Sequence, residues 1–539
     1  MRRRDLLLAG ASAAFLASRP LDRLARHRLP VTIYRPGMAE GHWLRDHPQL
    51  PAASEQRQVE TVIIGSGIGG LTTAWKLKRE GYNNFLLLAG PELGGNAASG
   101  HHGELQFPLG AHYLPVPTQE SVHVREMLAD FGILQGPAGA ERPRYDESLI
   151  VHALQERLLI NGQWQEGFIP PAGADQGEHA QQARFFAFVQ GLKNRRGRDG
   201  RKLFAIPIAL SSTDEEWRSL DQQTFAGWLK AQGYMAPGLR WYLDYCCRDD
   251  YGVTSNKISA WAGLHYFASR TGLASNAEED ALLTWPGGLD TMAQRLFAPV
   301  RQHGLAGFAI GVRPADRSWD VYYAESAKAG ARTVCIRSRH VVFATPLHVT
   351  AHLLPHLQST LGFDPVLHMP SHAPWMVANF VLKDFPVEQD YRDCPLAWDN
   401  VVYDSPAMGY VVSTHQLIRV ARPERTVFTA YQAMSAWAPT EARQWMLKAS
   451  QDEMVDEVAT DLLKVYGPDI WRHTSSLHIT QRGHAMASPA PGFLDNAGLA
   501  ALRQGGQGLH FAHADISSLS IFEEASWWGW QAAGNILST

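Results

Sequence analysis

A glycine-rich turn near the start of the chain has the residue types and spacing to bind a dinucleotide: residues 65–70 read GSGIGG. In the pattern G-x-G-x-x-G the first glycine permits a tight turn, the second lets backbone approach a pyrophosphate, and the third lets helix and strand pack closely. The helix that follows offers free N–H groups and a positive dipole end to phosphates. The predicted cofactor-binding glycines are Gly65, Gly67, Gly69 and Gly70.

Three other segments combine charged and aromatic residues. They are Trp398-Asp399-Asn400 with Tyr403-Asp404, then Arg482-Gly483-His484, and Asp249-Asp250-Tyr251 with Trp261 and residues 265–267. Carboxylates beside aromatic rings bind a cationic amine through charge and cation–π contacts. The alternative is that these residues serve turns and β-sheet packing, and Asp404 before a Ser-Pro pair is typical of a turn.

The elements around the glycine turn give it the context that dinucleotide binding needs. Val59 to Ile64 is an apolar, β-branched run that predicts a buried strand, and Phe85 to Leu88 predicts a second one. Leu71 to Lys78 between them has helical spacing, and Gly81 ends that helix. Strand, turn, helix and strand form a βαβ unit.

One part of the dinucleotide pattern is missing. An acidic residue is expected at the end of the second strand, where it binds ribose hydroxyls. That position holds Leu88, and Glu92 follows four residues later. Either Glu92 or a water molecule binds the ribose, or the adenosine end is held differently.

The chain as a whole fits a soluble protein with two intertwined domains, since 539 residues exceed one simple core. Its net charge of −4 gives no general indication of nucleic-acid binding. The 17 tryptophans are numerous enough to line a pocket for an apolar or cationic ligand as well as a core. The predicted partner is therefore a small-molecule substrate.

The amino terminus resembles an export signal. Residues 2–7 read RRRDLL, and an apolar run continues to Ala17, too short to span a bilayer. A basic start before a short apolar stretch predicts a signal peptide, and the arginine pair resembles the twin-arginine type. We expect a periplasmic or exported protein; the alternative is a basic terminus before a first helix. No clear small-x-small cleavage site follows Ala17, so the segment can also remain as a membrane anchor.

The remaining chain alternates helical and β character. Further predicted elements are a helix around Val124–Phe131, a helix near Gln181–Leu192, two helices in 213–250, β-rich stretches at 308–345 and 375–432, one long helix over Thr440–Tyr466, a strand at Leu509–Ala512 and a helix from Glu523 to Leu537.

Short motifs in a fixed order resemble the flavin amine oxidase and phytoene-desaturase-like superfamily. They are GGN at 94–96, FPLGAHY at 107–113, WPGGL at 285–289, VVFATP at 341–346, FAHAD at 511–515 and EEASWWGWQAA at 523–533. The resemblance implies an α/β fold in which a Rossmann-type FAD-binding domain is interleaved with an α+β substrate domain. The expected segments are 1–20 (signal), 21–57 (linker or arm), 58–115, 281–350 and 476–539 (FAD-binding), and 116–280 and 351–475 (substrate).

The resemblance also assigns cofactor-binding roles. The GGN turn at 94–96 would lie against the pyrophosphate, and the GAH segment at 110–112 would lie near the flavin. Asp515 would bind FAD, and the amino end of the last helix would face the flavin. The implied residues are Glu92, Gly94, Gly95, Asn96, Gly110, Ala111, Val312, Asp515, Glu524 and Ala525. The chain departs from the family at Asn96 (usually Arg), Ala514 and Glu524 (usually Gly) and Trp528 (usually Ser). FAD is expected to be non-covalent, because the last cysteine is Cys394, far from the carboxyl-terminal attachment site that some relatives use.

Catalytic residues follow from the same placement. His112 would lie at the flavin edge and His513 beside Asp515, where a neutral histidine can accept a proton; the alternative is hydrogen-bonded core histidines. A flavin performs the redox step itself, so no metal site is demanded. The substrate candidates are Tyr113, Trp398, Asp399, Arg482, His484 and Trp528.

Four functions remain open. The favoured one is oxidation of a small amine or polyamine by hydride transfer to the flavin, with an unknown electron acceptor. The others are desaturase-like dehydrogenation of a hydrophobic substrate, a flavoprotein that serves another redox protein, and a degenerate member that has lost FAD. The departures at Leu88, Asn96 and Ala514 keep the last of these open.

Overall fold

The computed structural model describes residues 26–152, 154–172, 176–328, 330–387, 394–416, 418 and 421–539. The expected signal segment, residues 1–20, lies outside these residues. The strands are β1 (Val31–Tyr34), β2 (Glu55–Gln58), β3 (Thr61–Ile64), β4 (Phe85–Leu88), β5 (Ser99–His102), β6 (Leu105–Pro108), β7 (Tyr113–Pro115), β8 (Leu134–Gln135), β9 (Arg144–Tyr145), β10 (Glu156–Ile160), β11 (Gln163–Glu166), β12 (Leu282–Thr284), β13 (Gly304–Leu305), β14 (Phe308–Ala315), β15 (Ser318–Ala324), β16 (Thr333–Ser338), β17 (His340–Phe343), β18 (His372–Leu382), β19 (Asp399–Val402), β20 (Tyr410–Val412), β21 (Thr426–Ala433), β22 (Thr474–Ala487) and β23 (Leu509–Phe511).

The α-helices connect and cover these strands. They are α1 (Met38–Asp46), α2 (Ile68–Arg79), α3 (Val122–Asp130), α4 (Gln176–Leu192), α5 (Glu215–Arg218), α6 (Phe225–Ala231), α7 (Pro237–Tyr251), α8 (Ala260–Ser269), α9 (Asp290–Phe297), α10 (Leu347–Leu353), α11 (Leu357–Leu361), α12 (Pro365–His368), α13 (Pro439–Lys448), α14 (Gln451–Val458), α15 (Thr460–Tyr466), α16 (Ile470–His473), α17 (Ala497–Gln504) and α18 (Phe522–Leu537).

A five-stranded parallel sheet forms the centre of the first of two bodies in the fold. Its strand order is β13-β4-β3-β17-β23, and every neighbouring pair is parallel. Strands β3, β4 and β17 are almost entirely buried, as expected for a parallel sheet covered on both faces. The predicted α/β class and the βαβ unit with its helix α2 are confirmed. The loops after β3, β17 and β23 meet at the carboxyl edge, where open α/β sheets bind ligands.

An eight-stranded mixed sheet forms the second body. Its order is β1-β22-β18-β21-β20-β19-β10-β11, with long antiparallel pairing of β18 against β21 and β22. Glu156 on β10 and Asp399 on β19 are partners in a parallel pairing. The sheet therefore brings two carboxylates side by side that lie far apart in the chain.

The segment expected as a linker or arm, residues 21–57, contributes a strand to each of two sheets. Strand β1 pairs with β22 at the edge of the eight-stranded sheet, and β2 pairs with β16 in a four-stranded sheet of order β14-β15-β16-β2. No helix among the described residues is long and apolar enough to cross a membrane. The four cysteines are buried and free of disulfides.

The single long helix predicted for Thr440–Tyr466 is wrong. Three helices, α13, α14 and α15, occupy that stretch. Ser450 interrupts it, because its side chain accepts from the Glu453 amide while the Glu453 carboxylate accepts from the Ser450 amide. This reciprocal capping box starts a new helix, and its signature, Ser followed three residues later by Glu, was readable in the sequence.

The last helix, α18, packs directly on α2. A side chain at Gly69 would lie 1.8 Å from the Ala512 carbonyl oxygen, and one at Gly529 would lie 2.2 Å from the Gly69 carbonyl oxygen. Gly69 meets Gly529 near the start of α2, and Trp75 meets Trp530 farther along with ring centroids 6.0 Å apart. The Ala525 carbonyl oxygen lies 3.2 Å from a Cβ at Gly69, and Thr73 Oγ1 donates to the Gly529 carbonyl at 3.1 Å. Because the contacts advance by four residues along both helices, the two helices run parallel, and their amino ends lie on the same side.

We predict that Gly529→Ala lowers the free energy of unfolding by about 1 to 3 kcal/mol, because the new methyl group overpacks a backbone contact. The matched control is Gly534→Ala in the same helix, where an added Cβ has no neighbour within 4 Å. Urea unfolding followed by circular dichroism compares them. Equal stability of the two variants would contradict close packing of α2 and α18.

Candidate active site

The glycine turn after β3 forms a cradle at the carboxyl edge of the parallel sheet. Gly65 has φ 105°, and a Cβ there would lie 2.7 Å from the Ala344 carbonyl oxygen. At Gly67, in contrast, an added Cβ has no neighbour within 4 Å. Gly70 closes the turn, since a Cβ there would lie 2.0 Å from the Gly65 carbonyl oxygen. The first turn of α2 carries no acidic residue, so no side chain of that turn neutralises the positive end of the helix dipole.

A second glycine turn lies against the first. The Gly94 amide donates to the Ser66 carbonyl at 2.9 Å, and Gly94 and Gly95 adopt φ values of 87° and 58° that favour glycine. The Asn96 side chain donates to the Ala485 carbonyl at 2.8 Å. Asn96 therefore ties this turn to β22.

The residues near the ribose position are arranged unusually. Leu88 is fully buried in the core at the end of β4. Glu92 forms an ion pair with Arg482, at 3.0 Å between Oε2 and Nη1. Arg482 also donates to the carbonyls of Leu109 and Gly95 at 2.9 and 3.2 Å. Arg482, expected at the substrate, thus supports the second glycine turn, because its guanidinium is held by Glu92 and two backbone carbonyls.

Asp515 lies at the same sheet edge, in the loop after β23, and is buried. Its Oδ2 accepts from His372 Nε2 and from the Leu347 amide, both at 2.9 Å. Ion pairing with His372 and His513 holds the pKa of Asp515 well below its ordinary value despite burial. The same pairing raises the pKa of His372. The carboxylate is therefore ionised and fixed by protein partners.

Two more histidines extend this cluster, which we call the histidine cluster (His348, His372, His484 and His513). The rings of His348 and His484 stack with centroids 4.1 Å apart, and His348 lies 5.5 Å from His372. His348 Nδ1 is buried and has no hydrogen-bond partner within the part of the chain that the structure describes. Among the described residues, no group of histidine, cysteine or carboxylate side chains has the arrangement of a metal site.

His513 and Glu524, expected at the cofactor, are engaged by the protein itself. His513 Nδ1 accepts from the Asp515 amide at 3.2 Å, which caps the short helix that begins at Ala514. The Glu524 carboxylate is fully buried and accepts from the Ile208 amide at 2.5 Å and from Ser517 Oγ at 2.6 Å. Each carboxylate oxygen of Glu524 therefore has a protein partner.

The other expected residues of this region have structural surroundings. Trp528, expected at the substrate, is buried and donates from Nε1 to Ser517 Oγ at 2.6 Å. Ala525 lies where α18 meets α2, with its carbonyl oxygen 3.2 Å from a Cβ built on Gly69. Val312 is buried in an apolar cluster with Leu88.

A chamber begins at His112, directly after the two residues, Gly110 and Ala111, that contact the second glycine turn. The Ala111 amide donates to the Asn96 carbonyl at 2.8 Å, and a Cβ on Gly110 would lie 2.2 Å from that same oxygen. His112, which follows, stacks on Tyr431 with ring centroids 4.6 Å apart, and lies 4.8 Å from Tyr113. Trp398 closes the group at 5.4 Å from His112. Aromatic rings thus surround the space next to the glycine turns.

Carboxylates line the deeper part of this chamber. Burial, together with the charge of Asp250, raises the pKa of Asp249 to about 7. Burial also raises the pKa of Glu156 to about 7, and burial with the charges of Asp249 and Glu156 raises that of Asp399 well above its ordinary value. The side chains of Asp249 and Asp399 remain partly accessible although they lie deep in the molecule. A cation in this chamber would favour the ionised forms of these carboxyl groups, and the carboxylates would in turn stabilise the cation.

Three further ionisable groups lie at or near the chamber: His112, Arg270 and Glu523. Burial lowers the pKa of His112 to about 3, so its imidazole is neutral at pH 7 and does not store a proton. Arg270 is paired with Asp250 at 2.5 Å, and its guanidinium lies 4.4 Å from the Tyr266 ring centroid. Burial raises the pKa of Glu523, at the start of α18, to about 7.

The structure therefore joins two of the three charged and aromatic segments found in the sequence. Asp249 and Asp399 interact in the chamber with Tyr113 and Trp398, whereas Arg482 lies at the glycine turns and His484 in the histidine cluster. Sequence reasoning missed Tyr431, Glu156 and His372. Strand register alone brings these residues to the site, and no local motif marks them.

Comparisons with known proteins agree with this geometry. A model of the NAD(P)-binding Rossmann-like domain matches residues 63–131. An L-amino acid dehydrogenase from Synechocystis sp. is 23% identical over 325 residues, 59% of this chain and 61% of that protein. The match thus spans less than two thirds of the curated relative.

Solved structures extend the likeness to most of the chain. Putrescine oxidase bound to putrescine aligns with a TM-score of 0.64 at 14% identity, over 90% of this chain and 100% of that one. Cyclohexylamine oxidase from Brevibacterium oxydans IH-35A aligns with a TM-score of 0.61 at 16% identity, over 89% and 99%. The chain has the amine oxidase fold. This fold supports the resemblance to the flavin amine oxidase superfamily that the motifs indicated.

We predict that His372→Ala destabilises this amine oxidase fold by about 3 to 5 kcal/mol near pH 6, because it removes a charged, hydrogen-bonded partner of a buried carboxylate. The raised pKa of His372 stabilises the fold below the ordinary histidine value of 6.5, and this is lost as pH rises through the folded-state pKa. The lowered pKa of Asp515 stabilises the fold above the ordinary value of 3.8, and this is lost as pH falls.

Urea unfolding from pH 4 to pH 8 measures both effects. The control is His484→Ala, which removes a cluster histidine that makes no hydrogen bond to Asp515. If the two variants lose the same stability at every pH, the His372–Asp515 pair is not the important contact.

Proposed function

We propose that the protein is an FAD-dependent oxidoreductase that oxidises a small cationic amine. The observation that carries the proposal is the direct continuation of the glycine turns into a chamber lined by aromatic rings and carboxylates. The fold and the motifs support a flavin, and the chamber chemistry supports an amine. The printed names of the aligned structures, putrescine oxidase and cyclohexylamine oxidase, agree with this substrate class.

The residues present fit FAD at the pyrophosphate. Gly67 leaves open the space that backbone must share with phosphates, and the amino end of α2 faces it. Gly95 and Asn96 would border the same groove, with Asp515 and the histidine cluster across it. FAD held there without a covalent bond would accept the hydride equivalent removed from the substrate.

The chain's own residues would bind and orient the amine. Asp249 and Asp399 attract the ammonium group, and the rings of Tyr113, Tyr431 and Trp398 bind its cation and exclude water. An amine must lose its proton before its C–H bond is oxidised, and a carboxylate with a pKa of about 7, such as Asp249, is suited to accept it. Neutral His112 would position the substrate at the mouth of the chamber.

The charges of the chamber weigh against the desaturase-like alternative. A hydrophobic substrate would leave Asp249, Asp399 and Glu156 buried without a cationic partner. A member of the superfamily that has lost FAD would be distinguished by its spectrum, because a protein without flavin shows no visible absorption. Spectra of the purified protein, followed by anaerobic addition of putrescine, cyclohexylamine and L-amino acids, separate these functions. Flavin that stays oxidised with every amine would refute the proposal.

We predict that Gly67→Ala folds normally but loses most of its flavin, because the methyl group projects into the pyrophosphate space while touching no protein atom. The control is Gly191→Ala in α4, which likewise has nothing within 4 Å. Flavin absorbance per protein and the melting temperature of the flavin-free protein are measured. Full flavin content in Gly67→Ala would place the cofactor elsewhere.

We predict that amine binding tightens as pH rises from 6 to 8, because the Asp249 carboxyl, with a pKa of about 7, must ionise to pair with the ammonium group. Asp249→Asn should weaken binding by about tenfold or more at pH 8 and remove much of this pH dependence. The apparent dissociation constant comes from the concentration dependence of anaerobic flavin bleaching. Asp404→Asn, at an exposed turn, should behave as wild type, and an equal loss there would contradict the assignment.

We further propose export through the twin-arginine-type segment at residues 1–20, on the sequence pattern alone. Periplasmic fractions from cells that express the wild-type chain and an Arg2→Lys/Arg3→Lys variant test this. Equal export of both would reject that route.

A further inference from the structure

A cavity separate from the chamber lies where α3 meets the loops before and after it. Its volume is about 140 Å³, enough for several water molecules or one small anion. The lining residues are Pro117, Gln119, Arg125, Glu141, Asn194, Lys202, Thr271 and Leu273. Most of the polar side chains in this set are hydrogen-bond donors.

Arg125 is the unusual member. It is 2% exposed, and no carboxylate among the described side chains lies within ion-pair distance of its guanidinium. One of its terminal nitrogens donates to the Ala140 carbonyl, but the buried Nε has no hydrogen-bond partner within normal geometry among the described residues. Burial raises the pKa of the neighbouring Tyr145 to about 12, so that phenol stays neutral and does not balance the charge. A buried cation of this kind is costly unless an anion pairs with it.

Lys202 adds a second cation to the cavity lining. Its Nζ lies 3.0 Å from Glu120 and 3.2 Å from Thr271 Oγ1, so the ammonium group is fixed at the cavity. Glu120 balances Lys202, and Glu141 lies at the exposed rim, whereas Arg125 has no counter-charge. A planar guanidinium with free N–H groups suits the two oxygens of a carboxylate or phosphate.

We propose that this cavity binds a small oxyanion, a carboxylate or phosphate group, held by Arg125 and Lys202. The site is distinct from the amine chamber and goes beyond the proposed function. Two contacts connect its surroundings to residues near that chamber. His123, on the same helix as Arg125, pairs through Nε2 with the Glu523 carbonyl at 2.9 Å at the start of α18. Thr271 directly follows Arg270, the partner of Asp250.

Isothermal titration of the full chain with sodium phosphate, and separately with sodium acetate, tests the site at constant ionic strength in chloride. We expect saturable binding of at least one of the two anions, with one site per chain. Arg125→Gln should weaken it by at least about tenfold, since a charged hydrogen-bond donor is lost. The control Arg142→Gln, an exposed arginine of the neighbouring loop, should leave the affinity unchanged.

Two further variants keep the test decisive if Arg125→Gln fails to fold. Lys202→Gln should weaken binding several-fold, and Glu141→Gln should strengthen it by removing a negative charge from the rim. Binding that is unchanged in Arg125→Gln or Lys202→Gln would overturn the proposal, because phosphate would then be bound elsewhere, for example at the glycine turn. Absence of saturable binding of both anions to the wild-type chain would overturn it equally.

Discussion

The close contact of α2 with α18 is the constraint on which the rest of the structure depends. Gly69 and Gly529 let the two backbones meet where any side chain would collide. Because the helices run parallel, both amino ends point to the carboxyl edge of the parallel sheet. The amino ends of two helices and the loops after β3, β17 and β23 therefore lie at one edge, where open α/β sheets bind ligands.

The second body supplies the opposite charge. Its eight-stranded sheet pairs β10 with β19, and this pairing sets Glu156 beside Asp399. Burial makes these carboxyls hard to ionise, so each gains charge most readily when a cation enters. In the proposed function, the helix amino ends would face phosphates and the buried carboxyl groups would face an amine, with residues 110–112 between them.

The amino-acid sequence predicted the parts of this arrangement that local chemistry determines. The glycine turn, its strand and helix, and α18 have short-range patterns, and each was found. The helix break at Ser450 was also readable but was missed. Tyr431, Glu156 and His372 could not be found in this way, because register between distant strands places them. Asp515 was expected at FAD from the motif, yet its pairing with His372 depends on where β18 begins.

The departures from the superfamily motifs make the position of α2, which its contact with α18 fixes, more important for the proposed cofactor site. Leu88 offers no carboxylate to a ribose, Asn96 is turned to the Ala485 carbonyl, and Arg482 is neutralised by Glu92. With those side chains engaged elsewhere, the proposed binding of a pyrophosphate would rest mainly on backbone amides and on the dipole of α2. Such binding would depend on the position of the helix rather than on flexible charged side chains. Under that proposal, the glycines that hold α2 against α18 would matter for cofactor binding as well as for folding.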